Sequence, residues 1–147
     1  MDVYVGVEGY TLPSGFIVKE LCVMYTNNEF SHFLFEAPAD YYLSDSDKTT
    51  ILFTTKYLNK LSYYDGDIPY TLLSSILRKL RQYKIYTYGQ TSQKLLQGFL
   101  PTTIVVNLQS SGFAMSEFLQ NPECGRIHPA RYCAKAKTLA IQKFIES

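Results

Sequence analysis

The sequence predicts one α/β domain on a mixed five-stranded sheet, with three antiparallel strands first and alternating helices and strands after them. Three observations predict it. The first forty residues hold three runs rich in β-branched and aromatic residues, divided by short turn signals. Beyond residue 43 the apolar residues fall at helical spacing. Two more strand-like runs follow, separated from each other by a helical stretch. The chain's 147 residues are enough to bury a core without staples, and no repeat, low-complexity segment or internal boundary divides residues 1–147.

The elements follow in order. VYVGVEGY (3–10) and FIVKELCVMY (16–25) flank an LPSG turn, and the second run is apolar enough to be buried on both faces except at Lys19 and Glu20. FSHFLFEAP (30–38) is a third strand, stopped by Pro38. LSDSDKTTILFTTKYLNKL opens with a Ser/Asp cap cluster and continues as a helix. TLLSSILRKLRQY (71–83) is an amphipathic helix with Leu72, Leu73, Ile76, Leu77 and Leu80 on one side. KIYTYG is a short strand, QTSQKLLQGFL a helix ended by Gly98 and Pro101, and TTIVVNL (102–108) a fifth strand. SSGFAMSEFLQNPECGRI is irregular, and a last helix is expected to begin at Pro129, a residue favoured at the first helical position. This element order is that of the RNase H-like fold.

Composition narrows the setting. No apolar run is long enough to span a bilayer and no basic-plus-apolar leader is present, so a cytoplasmic or nuclear, membrane-free protein is expected. Three cysteines, an odd number, suit a reducing compartment better than a disulfide framework. Residues 1–77 carry four basic against ten acidic residues, a net of −6, and residues 78–147 carry ten against three, a net of +7. Such asymmetry can steer an anionic partner to one face only if the halves stay apart in space, and they are expected to interleave.

The chemistry concentrates near the end. In RNase H-like 3′–5′ exonucleases the last helix starts with a histidine that handles the attacking water. Five residues later an aspartate binds a divalent metal together with an Asp-x-Glu pair on the first strand. His128-Pro-Ala-Arg-Tyr-Cys133-Ala134 keeps the histidine and the spacing but has cysteine for aspartate. In YVGVEGY, Glu8 and Gly9 resemble the strand motif, while Gly6 stands in place of its first aspartate. GQTSQK, where a third carboxylate belongs, has none. Glu8 and His128 are therefore the candidate catalytic remnants, and a two-metal centre lacks the carboxylates it needs.

Cys124, His128 and Cys133 form C-x3-H-x4-C, a ligand set suited to zinc. Glu20 is the leading fourth ligand, because an isolated buried carboxylate is costly; Cys22, on the same strand face, and His32 are weaker candidates. A Glu–Cys–His–Cys set on a degenerate exonuclease-type fold resembles the Maelstrom domain of animal piRNA and transposon silencing. KELC around Glu20, Cys124, His128 and Cys133-Ala134 match that family in order. The His-to-Cys spacing is shorter than in the family, and the sequence contains no HMG box. The resemblance implies a structural zinc, binding of single-stranded RNA, partners in a ribonucleoprotein pathway and, as in some members, weak RNA endonuclease activity without exonuclease carboxylates.

Arg126, Arg131, Lys135 and Lys137 flank the ligand cluster and are the first candidates for phosphate contacts. Arg78, Lys79, Arg81 and Lys84, with Tyr83, Tyr86 and Tyr88 nearby, form a second basic set. Two alternatives stay open. One is an active divalent-metal 3′–5′ exonuclease that recruits Asp65 or Asp67 alongside Glu8 and His128. The other is a catalytically dead protein-interaction module of viral or mobile-element origin.

Overall fold

β1 (Asp2–Leu12) and β2 (Gly15–Tyr25) form a long antiparallel hairpin, and β3 (Phe30–Leu34) pairs antiparallel with β2. The computed structural model describes residues 1–115, 129 and 132–146 of the chain. β4 (Lys84–Thr87) adds parallel to β1, and β5 (Val105–Asn107) adds parallel to β4, giving the order β3-β2-β1-β4-β5. The expected mixed five-stranded α/β sheet is therefore present. β2 is buried along nearly its whole length, as its apolar run requires.

Helices cover both faces. On one face Val3, Val5, Leu21, Val23 and Ile85 pack with Leu73 and Leu77 of α2 (Leu73–Arg78) and Leu96 of α3 (Gln90–Phe99). On the other, Tyr4 and Met24 pack against Ala140 and Ile141 of α4 (Ala134–Glu146). α1 (Asp45–Thr54) closes one end over Tyr10, Leu12 and Ile17 through Ile51. It opens with a reciprocal cap, in which Ser44 Oγ accepts the Asp47 amide and the Asp47 carboxylate accepts the Ser44 amide.

Several boundaries differ from expectation, each for a local reason. β3 stops at Leu34 rather than Pro38, because Phe35 turns to bridge Ile68 and donates its amide to the Lys19 carbonyl at 2.9 Å. α1 ends in a π-turn over Thr55–Asn59, closed by Lys60 in the left-handed region at φ 59°. There the Tyr10 hydroxyl meets both Thr55 Oγ1 and the Leu61 carbonyl at 2.6 Å. The helix expected over 71–83 is a 3₁₀ turn at Tyr70–Leu72, then α2, then i→i+3 turns through Tyr83. Those turns keep Leu80 in the core while the chain comes round to start β4. The last α-helix begins at Ala134, with the Tyr132 amide bonded back to the Pro129 carbonyl at 2.9 Å. The acidic and basic halves do interleave, since α4 packs on β1 and β2.

Candidate metal centre and adjoining groove

The candidate centre lies where α4 starts against the middle of the sheet. Strand alternation places Glu8, Glu20, Gly6, Cys22 and His32 on the α4 side, because Gly6, Cys22 and His32 form one cross-strand row and Glu8 and Glu20 pair in the next. The Glu20 side chain is completely buried. Its Oε1 accepts the Ala134 amide at 2.7 Å and its Oε2 lies 2.5 Å from His32 Nε2. Ala134 opens α4, so the carboxylate satisfies an amide that has no partner within the helix, at the end where the helix dipole favours negative charge.

Cys133, the residue before Ala134, is also completely buried, and its Sγ accepts the Ala136 amide at 3.5 Å. Two of the four sequence-predicted zinc ligands, Glu20 and Cys133, therefore converge on one helix start from positions far apart in the chain. Cys124 and His128 lie outside the described residues, as do Arg126 and Arg131. Among the described residues no group of three or more His, Cys, Asp or Glu is placed to hold a metal. The pair present suits zinc chemically, since thiolate and carboxylate are both zinc donors.

Gly6 lies directly under α4. A Cβ at Gly6 would lie 2.3 Å from the Ala134 carbonyl oxygen and 2.3 Å from Thr138 Oγ1. α4 thus occupies the space that an aspartate side chain would need. Glu8, one row away, forms an ion pair with Lys137 of α4.

That pair lies in the wall of a groove of about 680 Å³ beside the β1–β2 bulge and the start of α3. β2 holds an extra residue, Lys19, at this bulge, because Glu8 pairs with Glu20 and Gly9 with Val18. The groove opens at the carboxyl end of β4, where open α/β sheets commonly place ligands. Gly89 caps α3 at φ 101° without a capping side chain. Tyr88, Gln90, Thr91 and Ser92 line one side, Phe53, Thr54 and Asn59 another, and Tyr132 and Lys137 a third. Glu8 is the single carboxylate among the described lining residues. Asp65 and Asp67 line a separate pocket with Lys19 and do not join Glu8.

The basic candidates divide between locations. Lys137 is in the groove, whereas Lys135 places its ammonium 4.5 Å from the centre of the Phe30 ring. Arg78, Lys79, Arg81 and Lys84 are exposed before or at the start of β4, the end opposite the groove. Tyr83 packs on Tyr25 and Tyr86 on Tyr4, leaving Tyr88 as the groove residue of that trio. Sequence reasoning missed the hydroxyl- and amide-rich lining, whose members come from five separate stretches of chain. Its one local signal was the cluster YGQTS at 88–92.

Fold and site together define a mixed α/β domain with a buried Glu–Cys helix anchor and a groove containing one described, ion-paired carboxylate. Compared with protein-family models, curated proteins and solved structures, the chain shows no significant match to any. No helix among the described residues is long and apolar enough to cross a membrane.

Proposed function

We propose that this chain is a zinc-anchored, RNase H-like domain of the Maelstrom type that binds single-stranded RNA. The observation that carries this reading is the meeting of Glu20 with the Cys133–Ala134 peptide at the start of α4. Cys124 and His128 complete the ligand set in this reading, and the metal ties α4 to β2 and so contributes to folding. The sheet order β3-β2-β1-β4-β5 supports the RNase H-like assignment. Gly6, closed off by α4, argues against a two-metal exonuclease.

RNA binding is assigned to the groove. The rings that line it, Tyr88, Tyr132 and Phe53, suit unpaired bases, and its amides and hydroxyls suit base edges and 2′-hydroxyls. Fluorescence anisotropy with a labelled RNA oligomer tests this. Single-stranded RNA is expected to bind in preference to the duplex, with affinity falling as salt rises. Tyr132→Ala is expected to weaken binding by about 1–3 kcal/mol if the ring stacks on one base. Equal binding of duplex and single strand, or no binding at low salt, contradicts the assignment.

A second reading is favoured by one observation: both Glu20 oxygens have hydrogen-bond partners within the protein. In that reading Glu20 is a metal-free helix clamp and the domain is an interaction module that has lost its chemistry.

A further inference from the structure

We infer that the cavity between residues 36–41 and 69–71 is a docking site for a basic, proline-rich segment of a partner protein, bound as a polyproline II helix. The cavity measures about 460 Å³ and shares no lining residue with the groove at Glu8. Pro38, Tyr41, Pro69 and Tyr70 supply its apolar lining, and Glu36 and Asp40, both exposed, supply its charge.

The two segments are fixed to each other by backbone contacts. The Glu36 amide donates to the Ile68 carbonyl at 2.8 Å and the Ala37 amide to the Tyr64 carbonyl at 3.3 Å, while Phe35 bridges Ile68 in parallel. Both rings are ordered too. Tyr41 and Tyr70 pack on the cluster of Tyr10, Leu12 and Ile17, and Tyr70 meets the Phe35 ring at 67° with centroids 6.0 Å apart. Ordered aromatic rings in a groove are what polyproline II recognition uses, because the ligand helix is itself extended beforehand and loses little entropy on binding. Such a helix has no internal hydrogen bonds, so its carbonyls need donors. Tyr70 Oη accepts the Val18 amide at 3.1 Å, and its own O–H has no acceptor among the described residues.

Charge selects the sequence. The Glu36 and Asp40 carboxylates have no ion-pair or hydrogen-bond partner among the described residues, and no lysine, arginine or histidine lines the cavity. The site is therefore negative, which disfavours nucleic acid and favours a cation. An arginine beside the prolines meets both kinds of lining, since a guanidinium pairs with carboxylates and stacks on tyrosine faces.

The test is fluorescence anisotropy of the full chain with three labelled peptides: an arginine followed by six prolines, a glutamate followed by six prolines, and an arginine followed by three glycine–serine repeats. The arginine–proline peptide is expected to bind about tenfold more tightly than either of the others, and less tightly as salt rises. The double variant Glu36→Gln, Asp40→Asn is expected to keep its circular dichroism spectrum and lose the preference for arginine over glutamate. Tyr41→Leu, which keeps apolar bulk without a ring face, is expected to weaken arginine–proline binding about tenfold. If Tyr41→Leu does not fold, the double variant decides, because both its positions are exposed.

No binding of the arginine–proline peptide at millimolar concentration overturns the inference, as does equal binding of all three peptides. Undiminished preference for arginine in the double variant overturns it as well. Self-association of the peptide-free chain that the double variant abolishes also overturns it, because the occupant is then a second copy.

Discussion

The Glu20 carboxylate accepts the Ala134 amide at 2.7 Å, joining the middle of β2 to the first residue of α4 across 114 positions of sequence. This bond replaces a solvent contact at the helix start with a buried charged one. It makes α4 dependent on a residue that sequence alone would place in an apolar strand.

Glu20→Ala removes that acceptor and strips His32 of its partner. Leaving the buried Ala134 amide without its acceptor typically costs about 1–3 kcal/mol. Urea denaturation is expected to show a lower midpoint for Glu20→Ala. Amide exchange in α4 should accelerate more than exchange in α2, on the opposite face of the sheet. Uniform acceleration across both helices contradicts an anchor specific to α4.

Gly6 has no room for a side chain beneath α4. With the Ala134 carbonyl and Thr138 Oγ1 both 2.3 Å from any Cβ, even Gly6→Ala must move α4. Overpacking of this kind costs about 1–3 kcal/mol, read as a lowered thermal midpoint. Gly6→Asp is expected to be less stable still and to gain no Mg²⁺-dependent trimming of RNA 3′ ends. A stable, Mg²⁺-dependent Gly6→Asp exonuclease contradicts the packing argument.

Asp47 governs acid behaviour at the other end of the sheet. Burial pushes its carboxyl up, but hydrogen bonds from Ser44 and Ser14 outweigh burial and hold it below its ordinary value. A carboxylate with a lowered folded-state pKa contributes stability that is present above the unfolded value and lost as pH falls through the folded one. That loss therefore begins below about pH 4. Asp47→Asn is expected to be less stable at pH 7 and to lose less on going to pH 2 than wild type. Parallel pH–stability curves for the two proteins contradict this role.

Much of the architecture is legible in the residues. The apolar run from Phe16 to Tyr25 announces a strand buried on both faces, and the Ser44–Asp47 cap announces the start of α1. Cys133 and Glu20 are recognisable as a pair only through buried-charge cost and family resemblance, and the structure does bring their neighbourhoods together. Three features are not legible, because they are set by tertiary contacts. His32 meets Glu20 through strand register, a pairing between segments that sequence spacing does not encode. Gly6 reads as a missing aspartate, although its reason is the close approach of a helix more than 120 residues away. Helix 71–83 has an uninterrupted amphipathic pattern, yet the return to β4 tightens its final turns.

The most direct test of the zinc anchor is metal content by elemental analysis of the purified, untagged protein, repeated on Cys133→Asp and Cys124→Ser. The account predicts a single equivalent of zinc per chain, lost in either variant together with cooperative unfolding. A well-folded wild-type protein without zinc contradicts it.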